Sequence, residues 1–371
     1  MNKSNVIIKS PGRINLIGEH IDYNGGYVLP GATDLFIKFT FSISDKDFSE
    51  IKSSVINKKF NIDLTSLKKS TVKWENYIIG SLISILTKRR VNLYNFNCLI
   101  EGNLPVGSGI SSSSSLICGF VKGISLLNNL NFNKNDLLTI SREVEYDFIG
   151  LKGGMMDQFT IINAKKNNLI LLNTIDNSSE FISADLGNYK LLLLNTNKKH
   201  DLSDGSYNDR VAECNKAKSI INESGINIKF LTEVNKDQLF KLKNKMPKSI
   251  YNRARYVIEE NERTKKSVEF IKRFNLKSFG EIMYLSHKGL KDLYEVSCME
   301  LDFLVDETKE HNQILGARMM GGGFGGCTIN LIHSEFIDFF IEKISRKYLK
   351  KFSAPLSPII TSLGRGLSQE K

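Results

Sequence analysis

The chain has 371 residues, a formal net charge of +11, 41% apolar residues and 25% charged residues. The length predicts two or three domains, and the composition is typical of a globular chain that can bury a hydrophobic core. Because the lysines are scattered and no basic module laced with aromatic residues is visible, we expect no nucleic-acid partner. We interpret the charge mainly as solvated surface that attracts anionic substrates modestly.

Two further classes of protein are disfavoured. No stretch approaches the roughly 18 apolar residues of a membrane span, and the N-terminal apolar run is too short for a signal peptide. We therefore expect a cytoplasmic protein with no membrane partner. The five cysteines are widely spaced and include no CxxC pair, which predicts reduced, buried thiols and argues against a disulfide framework or a zinc site.

The N-terminal region predicts three short strands and a polar turn. Residues 6–9 and 13–18 predict two strands separated at Pro11-Gly12, and residues 35–41 alternate as a third strand. The second strand leads into the polar run Glu19-His20-Ile21-Asp22-Tyr23. So many polar groups in one hairpin are costly unless they face a ligand, although solvated turn charges would give the same pattern.

A glycine- and serine-rich segment follows a predicted strand at residues 96–100. Apolar residues at helical spacing begin at Leu116, so the chain predicts strand, loop and helix in succession. Backbone N–H groups at the start of a helix favour anions, and serine hydroxyls can contact phosphate oxygens or a hard metal ion. The segment predicts a phosphate-binding loop, with a flexible linker as the alternative. The loop residues are Gly107, Ser108, Gly109, Ile110, Ser111, Ser112 and Ser113.

Two carboxylates stand in settings that suit chemistry. Glu145 lies beside the apolar stripe of a helix that we predict from Asn135 or Asp136 to Gly150, where it either points inward or is an ordinary flank charge. Asp157 follows a glycine bend and has apolar neighbours, so it is a candidate for a perturbed pKa and for general-base catalysis. Alternatively, Asp157 caps the segment that follows it.

The C-terminal half predicts several helices and a second glycine-rich loop. Tyr207 lies on one predicted helix, and residues 250–274 predict a long amphipathic one. Gly321, Gly323 and Gly326 match GxGxxG. A dinucleotide fingerprint needs a strand before the glycines and a helix after them. Here a strand comes after them, so we expect a loop that supports the site and binds no dinucleotide.

Together, these motifs resemble those of the GHMP small-molecule kinases, and within them the galactokinases. The likeness covers nearly the whole chain, with matching order and spacing. The matching segments are GRINLIGEHIDY at 12–23, PVGSGISSS at 105–113, MGGGFGG at 320–326, GMMDQF at 154–159, HDL at 200–202 and SYNDR at 206–210.

The resemblance implies an α/β (α+β) fold of two domains, with the active site in the cleft between them. Residues 1–180 would form the N-terminal mixed α/β domain, and residues 181–371 would form the C-terminal α+β domain. The implied reaction is the ATP-dependent phosphorylation of galactose at its C1 hydroxyl, with Mg²⁺.

The resemblance also implies a role for each candidate residue. Asp157 would be the catalytic base, and Arg13 would stabilise the transferring phosphoryl group and keep Asp157 ionised. The loop from Gly107 to Ser113 would wrap the ATP phosphates, and Ser113 and Glu145 would hold Mg²⁺. The residues of the implied sugar site are Glu19, His20, Ile21, Asp22, Gly154 and Tyr207.

Four positions depart from the family pattern, and none removes a proposed catalytic group. They are Ile21 in place of Thr, Ser114 in place of Ala, Ile117 in place of Glu and Gly153 in place of Cys. The similar N-acetylgalactosamine kinases carry Ile at the position of Ile21, which keeps a kinase for that sugar as an alternative. We favour a core-facing Ile21. A non-catalytic regulator that binds sugar and ATP is the other alternative, and an intact loop and an intact Asp157 argue against it.

Overall fold

The computed structural model describes residues 5–198 and 205–370. Within these ranges the chain is a mixed α/β structure, as expected from the sequence. In chain order the strands are β1 (Val6–Asn15), β2 (Tyr27–Val28), β3 (Pro30–Ile43), β4 (Ser49–Ser53), β5 (Lys58–Ile62), β6 (Phe96–Gly102), β7 (Asn168–Asn173), β8 (Ser179–Ser183), β9 (Tyr189–Asn195), β10 (Ile314–Met320), β11 (Cys327–His333), β12 (Ser357–Thr361) and β13 (Ser368–Glu370).

The helices separate into a group near the first sheet and a group after residue 205. They are α1 (Lys73–Ile83), α2 (Ser112–Leu127), α3 (Lys134–Glu143), α4 (Met156–Asn163), α5 (Ser206–Glu223), α6 (Lys236–Lys241), α7 (Lys248–Lys272), α8 (Leu276–Gly289), α9 (Met299–Thr308) and α10 (Ile337–Phe352). Short π-helical segments at Ser84–Lys88, Val144–Ile149 and Leu290–Tyr294 extend α1, α3 and α8. No helix among the described residues is long and apolar enough to cross a membrane.

The described strands form three sheets. A six-stranded sheet has the order β13-β1-β3-β6-β4-β5, a four-stranded sheet has the order β10-β11-β9-β12, and β2-β7-β8 form the third. The C-terminal strand β13 pairs with the N-terminal strand β1, so the end of the chain returns to the first sheet. The division into domains at residue 180 stays a prediction.

Strand β1 runs through Pro11-Gly12, so the prediction of two separate strands at residues 6–9 and 13–18 was wrong. Its antiparallel pairing with β3 shifts register between Pro11 and Arg13. An irregularity of this kind accommodates a proline, which cannot donate to the ladder, and changes the direction of the next side chain. The bulge therefore carries the strand on to Arg13, which lies at the site described below.

Two helices begin earlier than the apolar pattern indicated. Helix α2 starts at Ser112, and α3 starts at Lys134 with Asn133 as its N-cap, before the predicted Asn135 or Asp136. The first turns of both helices are polar, and hydrophobic periodicity does not detect a polar turn. The early start of α2 brings the phosphate loop directly onto its N-terminus.

Helix α2 packs against β1 and β3. A Cβ atom built on Gly123 would lie 1.9 Å from the ring of Phe41, so only glycine permits this close approach. Phe41 is fully buried, and its ring packs 5.7 Å from that of Phe120 on the same helix. This contact fixes the height of α2 above the sheet and thereby the position of its N-terminus.

Candidate active site

An ion pair joins the first strand to helix α4 at the centre of the site. The Arg13 guanidinium donates through Nε to Asp157 Oδ1 at 2.6 Å and through Nη2 to Oδ2 at 2.8 Å, which is the strong bidentate geometry. Nη1 donates to the Gly109 carbonyl at 2.6 Å. Arg13 is 7% exposed. The Asp157 side chain is 25% exposed, so the pair ties strand, loop and helix together in a partly shielded environment.

Asp157 lies in the first turn of α4, two positions after the N-cap residue Met155. Its carboxylate is directed to Arg13 and also accepts a short hydrogen bond from the Ser111 hydroxyl. The alternative interpretation of Asp157 as a helix cap is therefore wrong. Ser111 adopts the left-handed conformation, with φ 57°, and precedes the first residue of α2.

The phosphate-loop residues do not all face the same way. Ser108 and Ile110 are each 1% exposed, and the Ser108 hydroxyl donates to the Pro105 carbonyl at 3.0 Å. Gly107, Gly109 and the three serines at 111–113 line a cavity of about 180 Å³ at the N-terminus of α2. The side chains of Ser108 and Ile110 thus support the loop and do not face that cavity.

Glu145 points inward from the π-helical segment after α3, which resolves the even choice left by the sequence. Its Oε1 accepts from the Ser114 hydroxyl at 2.6 Å and from the Ser113 hydroxyl at 3.5 Å, and Oε2 accepts a short hydrogen bond from the Gln158 amide. Burial and then the charge of Asp157 raise the pKa of Glu145 to about 7. Because these effects disfavour the ionised form of the Glu145 carboxyl, a bound cation would stabilise that form.

Ser113 and Glu145 fit a magnesium ion. They present two oxygen ligands from different elements to one point, and Mg²⁺ is commonly held by one or two protein oxygens with the remaining positions taken by water and substrate phosphates. Among the described residues, no cluster of three or more His, Cys, Asp or Glu side chains could hold a metal by itself. The geometry fits an ion shared with a nucleotide.

The polar run after β1 lines a second, smaller cavity of about 80 Å³. His20 is 4% exposed, and burial lowers its pKa to about 3. Its Nδ1 lies 2.7 Å from the Tyr23 hydroxyl, whereas its buried Nε2 has no hydrogen-bond partner of good geometry among the described residues. Asp22 and Tyr207 line the same cavity. A neutral imidazole, a carboxyl group and a phenol therefore line the same small cavity.

Asp22 lies against the glycine bend. A Cβ atom on Gly154 would be 2.4 Å from Asp22 Oδ2, so only glycine allows the carboxyl to occupy this place. Burial, and then the charges of Asp157 and Glu19, raise the pKa of Asp22 to about 7. Burial and the nearby carboxylates therefore make the ionised form of Asp22 unfavourable in the folded protein, and a ligand that donates a hydrogen bond to Asp22 would reduce this free-energy cost.

Glu19 also lines the smaller cavity, and it is anchored from behind. Its Oε1 accepts from Arg318 Nη2 and from the Gly321 backbone N–H, each at 2.9 Å. The fully buried Arg318 further donates to the Asn15 and Leu16 carbonyls. Glu19 thus connects the polar run to the second glycine-rich loop.

Ile21 is the implied sugar-site residue that the structure places elsewhere. It is fully buried within a hydrophobic cluster that includes Val28 and Tyr256, and it is not among the residues that line either cavity. An apolar side chain in this turn gains more from the core than from a polar cavity. The core-facing interpretation that we favoured agrees with this position.

The second glycine-rich loop packs against the phosphate loop. A Cβ atom on Gly109 would lie 3.4 Å from the Met320 carbonyl, and one on Gly323, whose φ is +86°, would lie 2.2 Å from the Val296 carbonyl. Glycines of this loop line both cavities. No residue with a side chain could trace the same path at Gly323.

The two cavities meet at Arg13 and Asp157, which line both of them. One cavity carries the phosphate loop and the metal-ligand candidates, and the other carries Glu19, His20, Asp22, Gly154 and Tyr207. A larger cavity of about 860 Å³ lies between α6 and α7 and contains none of these residues, so size alone does not identify the site.

The sequence motif HDL at 200–202 lies outside the described residues.

Several residues of the site were missed by sequence reasoning. Lys198 lines the phosphate cavity and pairs with Glu300 at 2.9 Å. Ser111 had been assigned only to phosphate, yet it binds Asp157, and Gln158 had no assigned role although it holds Glu145. Arg318 lies in a strand with an otherwise apolar pattern. An arginine in such a strand is the one signal that could have identified it, because a buried charge needs a partner.

Comparison with known proteins places this geometry in a class. The galactokinase galactose-binding signature matches residues 1–42, the N-terminal domain of the GHMP kinases matches residues 76–165, and their C-terminal region matches residues 267–350. The first match covers the polar run, and the second covers the phosphate loop, Glu145 and Asp157. The matches define the class as the GHMP kinases.

Comparison with relatives that align over nearly the whole chain identifies the family within this class of kinases. The chain is 36% identical over 371 residues to a galactokinase of Fusobacterium nucleatum, with 98% of this chain and 94% of the relative covered. It is 39% identical over 344 residues to a galactokinase of Clostridium tetani, with 92% and 87% covered. The crystal structure of Lactococcus lactis galactokinase complexed with galactose matches with a TM-score of 0.92 and 32% identity, covering 99% of this chain and 95% of that one. The chain belongs to the galactokinase family.

The raised pKa of Asp22 predicts a pH-dependent cost to stability. In the unfolded chain this carboxyl titrates near 3.8, and in the folded protein near 7. The folded state therefore binds the Asp22 proton more tightly, and this residue makes the free energy of unfolding fall as pH rises from about 4 to about 7. Asp22→Asn should remove that loss. In the absence of sugar, the variant should gain stability relative to wild type between pH 5 and pH 8 in denaturant titrations. The same stability difference at both pH values would contradict the assignment.

Proposed function

We propose that the chain catalyses the ATP-dependent phosphorylation of galactose at its C1 hydroxyl, giving galactose 1-phosphate and ADP. The observation that carries the proposal is the position of Asp157, which lies where a cavity lined by a phosphate loop meets a cavity lined by hydrogen-bonding side chains. A sugar in the smaller cavity and a triphosphate in the larger one would meet at this carboxylate. The family membership supports the same reaction.

Asp157 is the general base. A sugar hydroxyl is a poor nucleophile, and its proton has to be accepted as the oxygen attacks phosphorus. The Arg13 guanidinium occupies both carboxylate oxygens of Asp157 at 2.6 and 2.8 Å, which fixes the plane of the carboxylate. The Ser111 hydroxyl provides a third hydrogen bond. The base is thereby oriented before substrates arrive.

Arg13 has a second role at the transferred phosphoryl group. Burial lowers the pKa of its guanidinium, but the charges of Asp157 and Glu19 outweigh burial and raise it, so Arg13 stays positive. In phosphoryl transfer most of the rate enhancement comes from positioning and from charge stabilisation. The N-terminus of α2 and the hydroxyls of Ser112 and Ser113, which line the same cavity as Arg13, supply further donors.

Mg²⁺ is the metal that we propose for Ser113 and Glu145. When bound, it would neutralise phosphate charge and orient the transferring group. Gln158 and Ser114 hold the Glu145 carboxylate from two sides, and so they fix its direction. Ser114 replaces the alanine usual in the family and adds one of these contacts. Lys198 is a further cation of the phosphate cavity, and we propose that it attracts the nucleotide.

The sugar-binding role rests on the smaller cavity. His20, Asp22 and Tyr207 offer donors and acceptors to several hydroxyls, and a sugar with one displaced hydroxyl would leave a buried group unpaired. Ile21 lies in the core, so it supplies no room for an N-acetyl group, and the alternative of an N-acetylgalactosamine kinase loses its motivating residue. The alternative of a non-catalytic regulator is disfavoured because Asp157, Arg13 and the loop are all in place.

We place this activity in the cytoplasm. Five free cysteines, four of them buried, are compatible with a reducing compartment.

A panel of free sugars tests the proposed function. ADP release with ATP and Mg²⁺ should give the highest kcat/KM for galactose. Its C4 epimer glucose should be lower by roughly 5- to 150-fold, which corresponds to about 1–3 kcal/mol for one unpaired buried group. A higher kcat/KM for N-acetylgalactosamine than for galactose would replace the sugar but keep the kinase. No turnover with any free sugar would overturn the proposal.

The metal assignment predicts a defect in Mg²⁺ dependence. Glu145→Gln keeps the shape of the side chain but removes its charge, so the Mg²⁺ concentration for half-maximal activity should rise, while galactose binding remains. Glu143→Gln is the matched control, because the Glu143 carboxylate binds Ser84 and Arg89 away from the cavities. An unchanged Mg²⁺ titration for Glu145→Gln would exclude the role.

A further inference from the structure

A series of hydrogen bonds extends from His20 away from the smaller cavity. The position of His20 in the cavity wall does not explain these hydrogen bonds. The Tyr23 hydroxyl is 2.7 Å from His20 Nδ1 and 2.8 Å from the Tyr294 hydroxyl, which is 3.1 Å from the Cys214 sulfur. The four residues come from the turn after β1, the π-helical segment after α8, and α5. Tyr294 is fully buried, and Cys214 is 3% exposed. The series therefore runs from the smaller cavity into the core.

Every group in this series is neutral near pH 7. Burial lowers the pKa of His20 to about 3, raises the pKa values of Tyr23 and Tyr294 well above their usual range, and raises that of Cys214 to about 11. Each hydroxyl then has one hydrogen to donate, and the neutral imidazole has a hydrogen on only one nitrogen. The hydrogen bonds must all point towards His20 or all point away from it.

Two observations favour the direction towards His20. The first is the difference between the two ends, because an imidazole nitrogen is a strong acceptor and a thiol sulfur is a weak one. The second is the short separation of 2.7 Å between the Tyr23 hydroxyl and Nδ1, which is typical of a hydrogen bond donated by O–H, whereas one donated by N–H to oxygen is about 2.9–3.0 Å long.

The opposite side of the His20 ring leads to the same tautomer. Gly322 lines the same cavity as His20, and its backbone partly offsets the burial-lowered pKa of the ring, as a carbonyl that accepts from the imidazole does. Because Nδ1 is engaged by Tyr23, the nitrogen on the cavity side is Nε2, which has no partner of good geometry within residues 5–198 and 205–370. A hydrogen on Nε2 would face both this carbonyl and the cavity.

We propose that Tyr23 and Tyr294, backed by Cys214, are positioning residues that hold His20 as the Nε2–H tautomer, so that it presents a hydrogen-bond donor to the sugar. This role rests on the proposed function only in naming the ligand. His20 then donates to a hydroxyl oxygen, whereas Asp22 in the same cavity accepts a hydroxyl hydrogen when the carboxyl is ionised. A sugar hydroxyl between the two residues would accept a hydrogen bond from His20 and donate one to Asp22, and these two hydrogen bonds would fix its orientation.

The tautomer can be measured without turnover. Long-range ¹H–¹⁵N NMR of the ¹⁵N-labelled full chain separates protonated from unprotonated ring nitrogens, and the chain has only five histidines. The His20 signals are assigned by their loss in His20→Gln. We expect a single Nε2–H form of His20 between pH 6 and pH 8. An Nδ1–H form in the wild-type protein would overturn the proposal, and this result requires no variant to fold.

Variants test whether the hydrogen bonds from Tyr23 and Tyr294 determine the tautomer of His20. Tyr23→Phe removes the donor to Nδ1 while keeping the ring, and it should give a mixture of tautomers. It should also raise the galactose Kd by about fivefold, the usual effect of one lost neutral hydrogen bond, with kcat changed by less than about twofold because Arg13 and Asp157 are untouched. Tyr207→Phe is the control, since its ring packs 5.3 Å from that of His20 without a hydrogen bond to Nδ1, and it should leave the tautomer unchanged. An unchanged tautomer in Tyr23→Phe would refute the role of Tyr23.

Deoxy and deoxyfluoro galactose distinguish the tautomer from the sugar assignment. Fluorine accepts a hydrogen bond but cannot donate one. At the hydroxyl that faces His20, the wild-type protein should bind the fluoro sugar better than the deoxy sugar, and Tyr23→Phe should lose this preference. If no galactose derivative binds while His20 remains Nε2–H, the proposed function fails and the tautomer stands. If the sugars bind without any fluoro preference, the donor role of His20 is refuted.

Discussion

The bidentate contact between Arg13 and Asp157 is the interaction on which the site depends. It joins β1 to α4 across 144 positions of sequence, and the third Arg13 contact holds the Gly109 carbonyl of the phosphate loop. Arg13 is 7% exposed and the Asp157 side chain is 25% exposed, so the pair is partly shielded from solvent and its attraction is stronger than that of a surface ion pair. The bulge at Pro11 and the early start of α2 both bring their elements to this contact. The same two residues are among those that line both cavities of the site.

The site concentrates negative charge beyond what the ion pair neutralises. Asp22 and Glu145 both have pKa values raised to about 7, chiefly by burial and then by the charge of Asp157. Arg318 compensates Glu19, but it lies behind that residue and away from the cavities. The protein therefore carries unfavourable groups in its folded state that a hydroxyl or a cation would relieve. This is a common compromise between stability and function at binding sites.

The sequence predicted those parts of the site that local patterns specify. The strand, loop and helix around residues 107–115, the polar run at 19–23 and the acid after the glycine bend at 157 were all recognisable from neighbouring residues. The family resemblance then supplied roles for them, and these roles stay predictions until variants are measured. The mixed α/β fold and the family are confirmed.

The features that were missed depend on contacts between distant segments. Arg318 meets Glu19 across 299 positions, and Tyr23 meets Tyr294 across 271, so no local window contains either pair. Strand β1 continues past Pro11 because its partner β3 tolerates a shift in register, which depends on the pairing and not on the proline alone. The core position of Ile21 was one of two open choices, since a single apolar residue in a polar turn can face either way.

The most direct test of this account is the turnover of Asp157→Asn beside that of Ser111→Ala. Asparagine keeps the shape of the side chain and can still bind Arg13, but it cannot accept the proton from the sugar. The account predicts that Asp157→Asn lowers kcat by roughly 10²–10⁴, the usual range for loss of a general base, while ATP and galactose still bind. Ser111→Ala removes one hydrogen bond to the same carboxylate and should lower kcat far less. Turnover of Asp157→Asn close to that of the wild-type protein would show that Asp157 is structural and would contradict the account.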